Sequence, residues 1–222
     1  MSNSFITLLI IAITVITSYQ AFNSAGLFNK LKYSPYRVKQ FKEYYRVFSH
    51  VLVHADWTHL LFNMYTFYSF GVFMEKVFVS PLTREAFFPA WGFGGVQLGI
   101  VLYLALYLIG GIVAAIPAYK KHSDNVFYAS VGASGAVSAI LMAFMLMFPD
   151  MQVAFFFLIP MPSWVGVLIF FGLEHYLQRR GGTNIAHDAH IFGALAGISF
   201  VTLLNPNIPV KFIKVVLSTF IG

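Results

Sequence analysis

Apolar residues run along this chain in long blocks, broken by short clusters of charge, proline and glycine. A helix needs about 20 apolar residues to cross the hydrocarbon core of a bilayer. Blocks of that order predict six spanning helices, at 5–22, 57–77, 96–119, 127–148, 163–177 and 185–204. The fifth is short and follows the apolar stretch 153–159 and the breaker Pro160-Met-Pro162. The first has no basic segment before it and no obvious small-residue cleavage site, so it reads as an anchor rather than a signal peptide. Neither an internal repeat nor a low-complexity segment interrupts the pattern. The expected architecture is a single all-α, polytopic membrane domain over residues 1–222.

The first loop, 23–50, departs from the pattern. Lys30, Lys32, Arg37, Lys39, Lys42 and Arg46 alternate there with Phe28, Leu31, Tyr33, Tyr36, Phe41, Tyr44, Tyr45 and Phe48. Basic and aromatic residues interleaved in this way predict a segment lying in the membrane interface, the plainer reading being a solvated loop.

Composition supports the membrane assignment. The chain is 59% hydrophobic and 10% charged, with mean hydropathy +0.75, where soluble domains carry about 25% charged residues. There are no cysteines, which excludes disulfides and thiolate chemistry. No Asn-x-Ser/Thr glycosylation acceptor occurs, which suits a bacterial membrane. The net charge of +6 lies in the loops and points to lipid headgroups rather than nucleic acid. Ten of the fourteen Lys and Arg fall in loops 1, 3 and 5: six in loop 1, then Lys120, Lys121, Arg179 and Arg180. Taken alone, that count would put these loops in the cytoplasm.

Polar residues inside spans are costly and mark function by default. Three groups stand out. His59 and Asn63, at i,i+4 near the start of span two, share one helix face and both can donate hydrogen bonds; interhelical polar glue is the bland reading. Gly132-Ala-Ser134-Gly135, near the start of span four, places a serine where its own N–H lacks an intrahelical partner; small-residue packing is the alternative. His190, Gly193 and Gly197 align on one face of span six, and the two glycines form a G-x-x-x-G surface able to press on Gly132, Gly135, Ala136 and Ala139 of span four. His190 would then approach Ser134, and a Ser–His pair held in this way is an activated nucleophile. All three groups approach the same side of the membrane. A metal centre built from the histidines is disfavoured by the four- and five-residue spacing of His50, His54 and His59 and by the few carboxylates nearby, so no metal or cofactor is expected.

Together these residues resemble the rhomboid family of intramembrane serine proteases over nearly the whole chain. The resemblance lies in Tyr45-Arg46, His50-x3-His54-x4-His59-x3-Asn63, Gly71, Glu75, Pro160-Met-Pro162, Gly132-x-Ser134-Gly135 and Ala189-His190-x2-Gly193-x3-Gly197. It implies a six-helix bundle with a membrane-associated first loop, and a Ser–His dyad without a third acid. Ser134 would be the nucleophile and His190 the general base. His59, Asn63 and the Ser134 N–H would form the oxyanion hole. Gly132, Gly135, Gly193 and Gly197 would pack spans four and six. Arg46 and Glu75 would be structural. Span five, with Trp164 on it and Phe62 facing it, would gate the approach of a substrate helix. The implied partners are transmembrane protein substrates and the lipid bilayer, in a bacterial inner membrane.

Three positions depart from the family pattern. Tyr45 stands where Trp is common. Ser138 stands where many bacterial members carry a Tyr beneath the histidine ring. The active-site side is usually outside the cytoplasm, against the Lys/Arg count here. Asp188, at i−2 from His190, lies off its face and is not expected to complete a triad. Two rivals are an inactive relative that binds helices without cutting, and a small transporter. The first should have lost Ser134 or His190, and the second should carry a repeat or more buried acids.

Overall fold

The computed structural model describes residues 4–91, 94–155, 159–181 and 186–221. Its first helix, α1 (Phe5–Phe22), exposes Phe5, Leu8, Leu9, Ile13 and Ile16 and buries Thr7, Thr14, Ser18 and Ala21. The small, polar stripe faces the protein and the large apolar one faces outward, as expected where the surroundings are lipid and packing rather than hydrophobicity joins helices.

The first loop is folded into three short helices, α2 (Ala25–Leu31), α3 (Pro35–Phe41) and α4 (Arg46–Ser49). Ser24 and Ser34 cap the first two through Leu27 N–H and Arg37 N–H. Arg46 is buried and pins the loop by donating to the Asn29 and Lys32 carbonyls, both at 2.8 Å, and to Glu43. Glu43 also receives Arg37.

Asp56 caps α5 (Trp57–Val79) through the His59 N–H at 2.8 Å. At its far end, Glu75 caps α1 in turn. Its carboxylate accepts the N–H groups of Ile6 and Thr7 at 3.0 and 2.8 Å and the Thr7 hydroxyl at 2.6 Å. After α6 (Pro81–Phe87), α7 (Gly95–His122) runs 28 residues and leads to α8 (Ser134–Met147). Almost every residue of α8 is buried, so it is the centre of the bundle, with α5, α7 and α10 around it. An antiparallel hairpin of β1 (Gln152–Phe155) and β2 (Ile159–Pro162) precedes α9 (Ser163–Arg180). The chain then continues as α10 (His187–Leu204) and α11 (Asn207–Ile221).

Among the described residues three helices, Phe5–Phe22, Gly95–His122 and His187–Leu204, are long and apolar enough to cross a membrane, and Ser134–Met147 is a shorter apolar helix. The other two long helices carry polar residues, His59, Asn63, Glu75 and Lys76 on α5 and Glu174, His175, Gln178, Arg179 and Arg180 on α9.

Several extents differ from the sequence expectation. The fourth helix starts at Ser134 rather than 127. Before it, Ser130 exchanges backbone hydrogen bonds with Tyr33 at 3.0 and 2.9 Å, and Gly132 turns the chain at φ +115°. Such backbone is tolerated at membrane depth only where protein covers it or a cavity wets it. The stretch before span five forms a hairpin, because Pro160 and Pro162 exclude a helix there but fit a strand paired on one side only. The helix α11 has no counterpart in the expectation. The expected start of span six, Ile185, and the middle of the stretch 153–159 lie outside the described residues.

Candidate active site

The chain reaches the site through a buried histidine. His54 lies between α4 and α5 and is fully buried. Its Nε2 accepts the Ala133 N–H at 3.3 Å, so Nε2 carries no proton. Its Nδ1 therefore donates to Ser18 Oγ at 3.0 Å, and Ser18 donates to the Leu52 carbonyl at 3.0 Å. The Gly132 N–H donates to the His50 carbonyl at 3.0 Å. His50, at the end of the first loop, and His54, just before α5, thus fix the backbone immediately before Ser134. Burial holds the His50 imidazole down at about 4 and the His54 imidazole at about 3, so both stay neutral at physiological pH.

Ser134 is the first residue of α8 and is half-buried. No side chain caps this helix, so its first N–H groups remain directed at the space beside the serine hydroxyl. On one side stands α5. A Cβ at Gly132 would meet the His59 ring at 2.6 Å, so only glycine lets the ring and this turn approach. The His54 and His59 rings meet edge to face with centroids 5.0 Å apart. Asn63 is buried one turn further along α5, and its Nδ2 donates to the His59 carbonyl at 3.0 Å. One of its two amide hydrogens is left over.

On the other side stands α10. A methyl at Gly193 would overlap the Gly135 carbonyl oxygen, and one at Gly197 the Ala139 carbonyl oxygen. Gly135 itself is pressed from α7, where a methyl would overlap the Ala114 side chain. Gly135, Gly193 and Gly197 therefore set helix contacts, whereas Gly132 serves the turn against His59 rather than a contact with α10.

His190 is near the start of α10. Among the described residues no hydrogen bond joins Ser134 Oγ to His190. Its Nδ1 lies 2.9 Å from Glu174 Oε1 on α9, and His187 Nδ1 lies 2.7 Å from Glu174 Oε2. Asp188 is turned elsewhere, to the Lys121 ammonium at 2.8 Å and the Ala189 N–H at 2.9 Å. The sequence marks Glu174 only as the one acid well inside a late span, near its end, and gives it no role beside His190.

Glu174, His187 and His190 offer three ligand atoms within 4.8 Å of one another. A tetrahedral zinc with bonds of 2.0–2.1 Å separates its ligand atoms by about 3.3 Å. The observed 2.7 and 2.9 Å are hydrogen-bond separations instead.

Phe62 and Trp164 lie at opposite ends of the bundle. Phe62 is in the second turn of α5, at the serine end, and half exposed. Trp164 begins α9, where its N–H donates to the Pro149 carbonyl just beyond α8, and its ring meets Phe220 of α11 with centroids 5.9 Å apart. The 14 residues of α8 separate that level from Ser134 by about 20 Å.

The Rhomboid domain family model matches residues 42–207, three quarters of the chain, including the helices that carry His59, Asn63, Ser134, Glu174 and His190. The chain belongs to the rhomboid family, a polytopic membrane fold, and is an integral membrane protein. It is also 26% identical over 157 residues to a Bacillus subtilis (strain 168) protein named "Putative rhomboid protease YdcA". That match covers 70% of this chain and 64% of the relative's length.

Proposed function

We propose that this protein is an intramembrane serine endopeptidase in which Ser134 attacks and His190 acts as general base. The observation that carries the reading is the position of Ser134 at the uncapped start of α8, between α5 with His59 and Asn63 and α10 with His190. In the reaction, Ser134 Oγ bonds to the scissile carbonyl carbon while its proton passes to His190 Nε2. The negative oxygen that forms is met by the Ser134 N–H, the spare Asn63 amide hydrogen and the His59 ring. The same proton then leaves on the departing amine, and water repeats the sequence to release the acyl group.

The substrate class follows from the setting. A peptide bond inside a helix is sealed by its own hydrogen bonds, so a transmembrane helix must unwind before it can be cut. Glycine, serine or proline near the membrane surface lowers that cost, by about 1 kcal/mol for glycine and about 3 for proline relative to alanine. Six helices, α1, α5, α7, α8, α9 and α10, would cross a bacterial inner membrane as one domain, with α2 to α4 lying in the interface. Phe62 remains a candidate for the gate beside α9, and Trp164 is at the wrong level to share that role. The site would face away from the cytoplasm. The Lys/Arg bias against this is softened because six of the ten charges lie in the first loop, where side chains in the interface can snorkel to headgroups on either side.

The test is cleavage of reporter proteins carrying single transmembrane helices, reconstituted with the purified protein in vesicles. A helix with a Gly-Ser pair near the surface should be cut, and an all-leucine helix should resist. Equal resistance of both would argue for a helix-binding relative without protease activity.

A further inference from the structure

The bond between Glu174 and His190 goes beyond a two-residue site. An ionised carboxylate only accepts hydrogen bonds. With one Glu174 oxygen 2.9 Å from His190 Nδ1 and the other 2.7 Å from His187 Nδ1, both imidazoles must place a proton on Nδ1. A neutral His190 protonated on Nδ1 has its lone pair on Nε2, at the far side of the ring from Glu174. A general base for Ser134 needs that nitrogen free.

We infer that Glu174 is a positioning residue for His190, fixing its tautomer and ring orientation, with His187 holding the second carboxylate oxygen in place. The inference rests on the proposed Ser134–His190 chemistry. When Nε2 takes the Ser134 proton, the imidazolium keeps its Nδ1–H on the Glu174 bond. The carboxylate takes no proton and stabilises the new positive charge.

Three further observations favour this role. Asp188, the acid nearest in sequence, is occupied by Lys121 and the Ala189 N–H. The position one turn beyond the nucleophile is Ser138, too small to support an imidazole ring from below. Glu174, at 14% side-chain exposure, is buried enough for its hydrogen bonds to hold against water. Since Glu174 sits on α9, of which only Ser163 and Gly166 are fully buried, an outward movement of that helix would also release the base.

The experiment combines two readouts on the full-length protein in detergent. Nitrogen NMR of histidine-labelled protein reads the tautomer, with the His190 signals assigned by their loss in His190→Gln. The rate of labelling by a fluorophosphonate probe reads nucleophile activation. Wild type at pH 8 should show His190 protonated on Nδ1. Glu174→Gln, checked for unchanged thermal unfolding, should shift the proton towards Nε2 and slow labelling at least about tenfold, while Glu174→Asp should restore part of the rate. A wild-type His190 protonated on Nε2 overturns the inference by itself, even if the variants fail to fold. Unchanged tautomer and labelling in Glu174→Gln would also overturn it, while leaving the protease reading intact. A wild type that binds no probe but carries the Nδ1 proton would sink the protease reading and keep the carboxylate–imidazole bond.

Discussion

Gly193 of α10 lies against the backbone of Gly135 in the first turn of α8, so close that a single methyl group on Gly193 would overlap the Gly135 carbonyl oxygen. One turn further along, Gly197 meets Ala139 in the same way. The spacing between the serine helix and the histidine helix is set by these two contacts, and backbone cannot yield as a flexible side chain would. Gly197→Val should therefore separate the helices, costing about 1–3 kcal/mol or more for overpacking. Thermal unfolding in detergent should show a lower midpoint for this variant, and fluorophosphonate labelling should fall with it. An unchanged midpoint would mean that the two helices are not in this contact.

The bond from Ala133 N–H to His54 Nε2 makes stability depend on pH. In the unfolded chain both His50 and His54 take a proton near pH 6.5. In the folded protein burial holds them to about 4 and about 3. Between those values the unfolded chain binds more protons, so stability rises with pH through this window. Their contribution is complete above about 6.5 and declines as pH falls towards 3. Melting midpoints measured from pH 4.5 to 8 should rise and then level off, and His54→Gln should flatten the rise. A His54→Ala variant also leaves the buried Ala133 N–H without its acceptor, at about 1–3 kcal/mol.

In the proposed mechanism Asn63 would offer one amide hydrogen to the developing oxyanion, the other being held by the His59 carbonyl. Asn63→Ala should lower the rate of transmembrane-substrate cleavage about 10²–10³-fold with little change in apparent affinity. A loss confined to affinity would assign Asn63 to substrate binding.

The helices that carry His59, Ser134 and His190 were readable from the sequence, because apolar length is a local property. Elements set by distant partners were not. The start of α8 depends on Ser130 pairing with Tyr33, and apolar residues on both sides of Gly132 conceal the turn. His54 resembles a packing residue until the Ala133 backbone appears against it, since a backbone donor leaves no mark in a sequence. Glu174 is 13 and 16 residues from its two histidines, and the rotation of α9 that aims it at them is a tertiary property. Trp164 was misplaced as a gate although the start of span five was read correctly, because that start lies beyond the far end of α8 from Ser134.

Glu75 ties the other end of the bundle, accepting from Ile6, Thr7 N–H and Thr7 Oγ–H. Glu75→Ala leaves the Ile6 and Thr7 N–H groups without this acceptor, while the Thr7 hydroxyl keeps the Tyr103 hydroxyl at 2.7 Å, and should cost about 1–3 kcal/mol. The first turns of α1 should then lose protection in hydrogen exchange, while probe labelling at Ser134, at the opposite end of α5 from Glu75, should persist. Loss of labelling without loss of protection would place Glu75 in the catalytic machinery instead.

The central claim is that Ser134 is an activated nucleophile and His190 its base. The most direct measurement is labelling of the purified protein by a fluorophosphonate probe, with the modified residue located by mass spectrometry, beside Ser134→Ala and His190→Ala. The account predicts modification of wild-type Ser134 and none in either variant. A folded wild type that takes no probe, or equal labelling in His190→Ala, would contradict it.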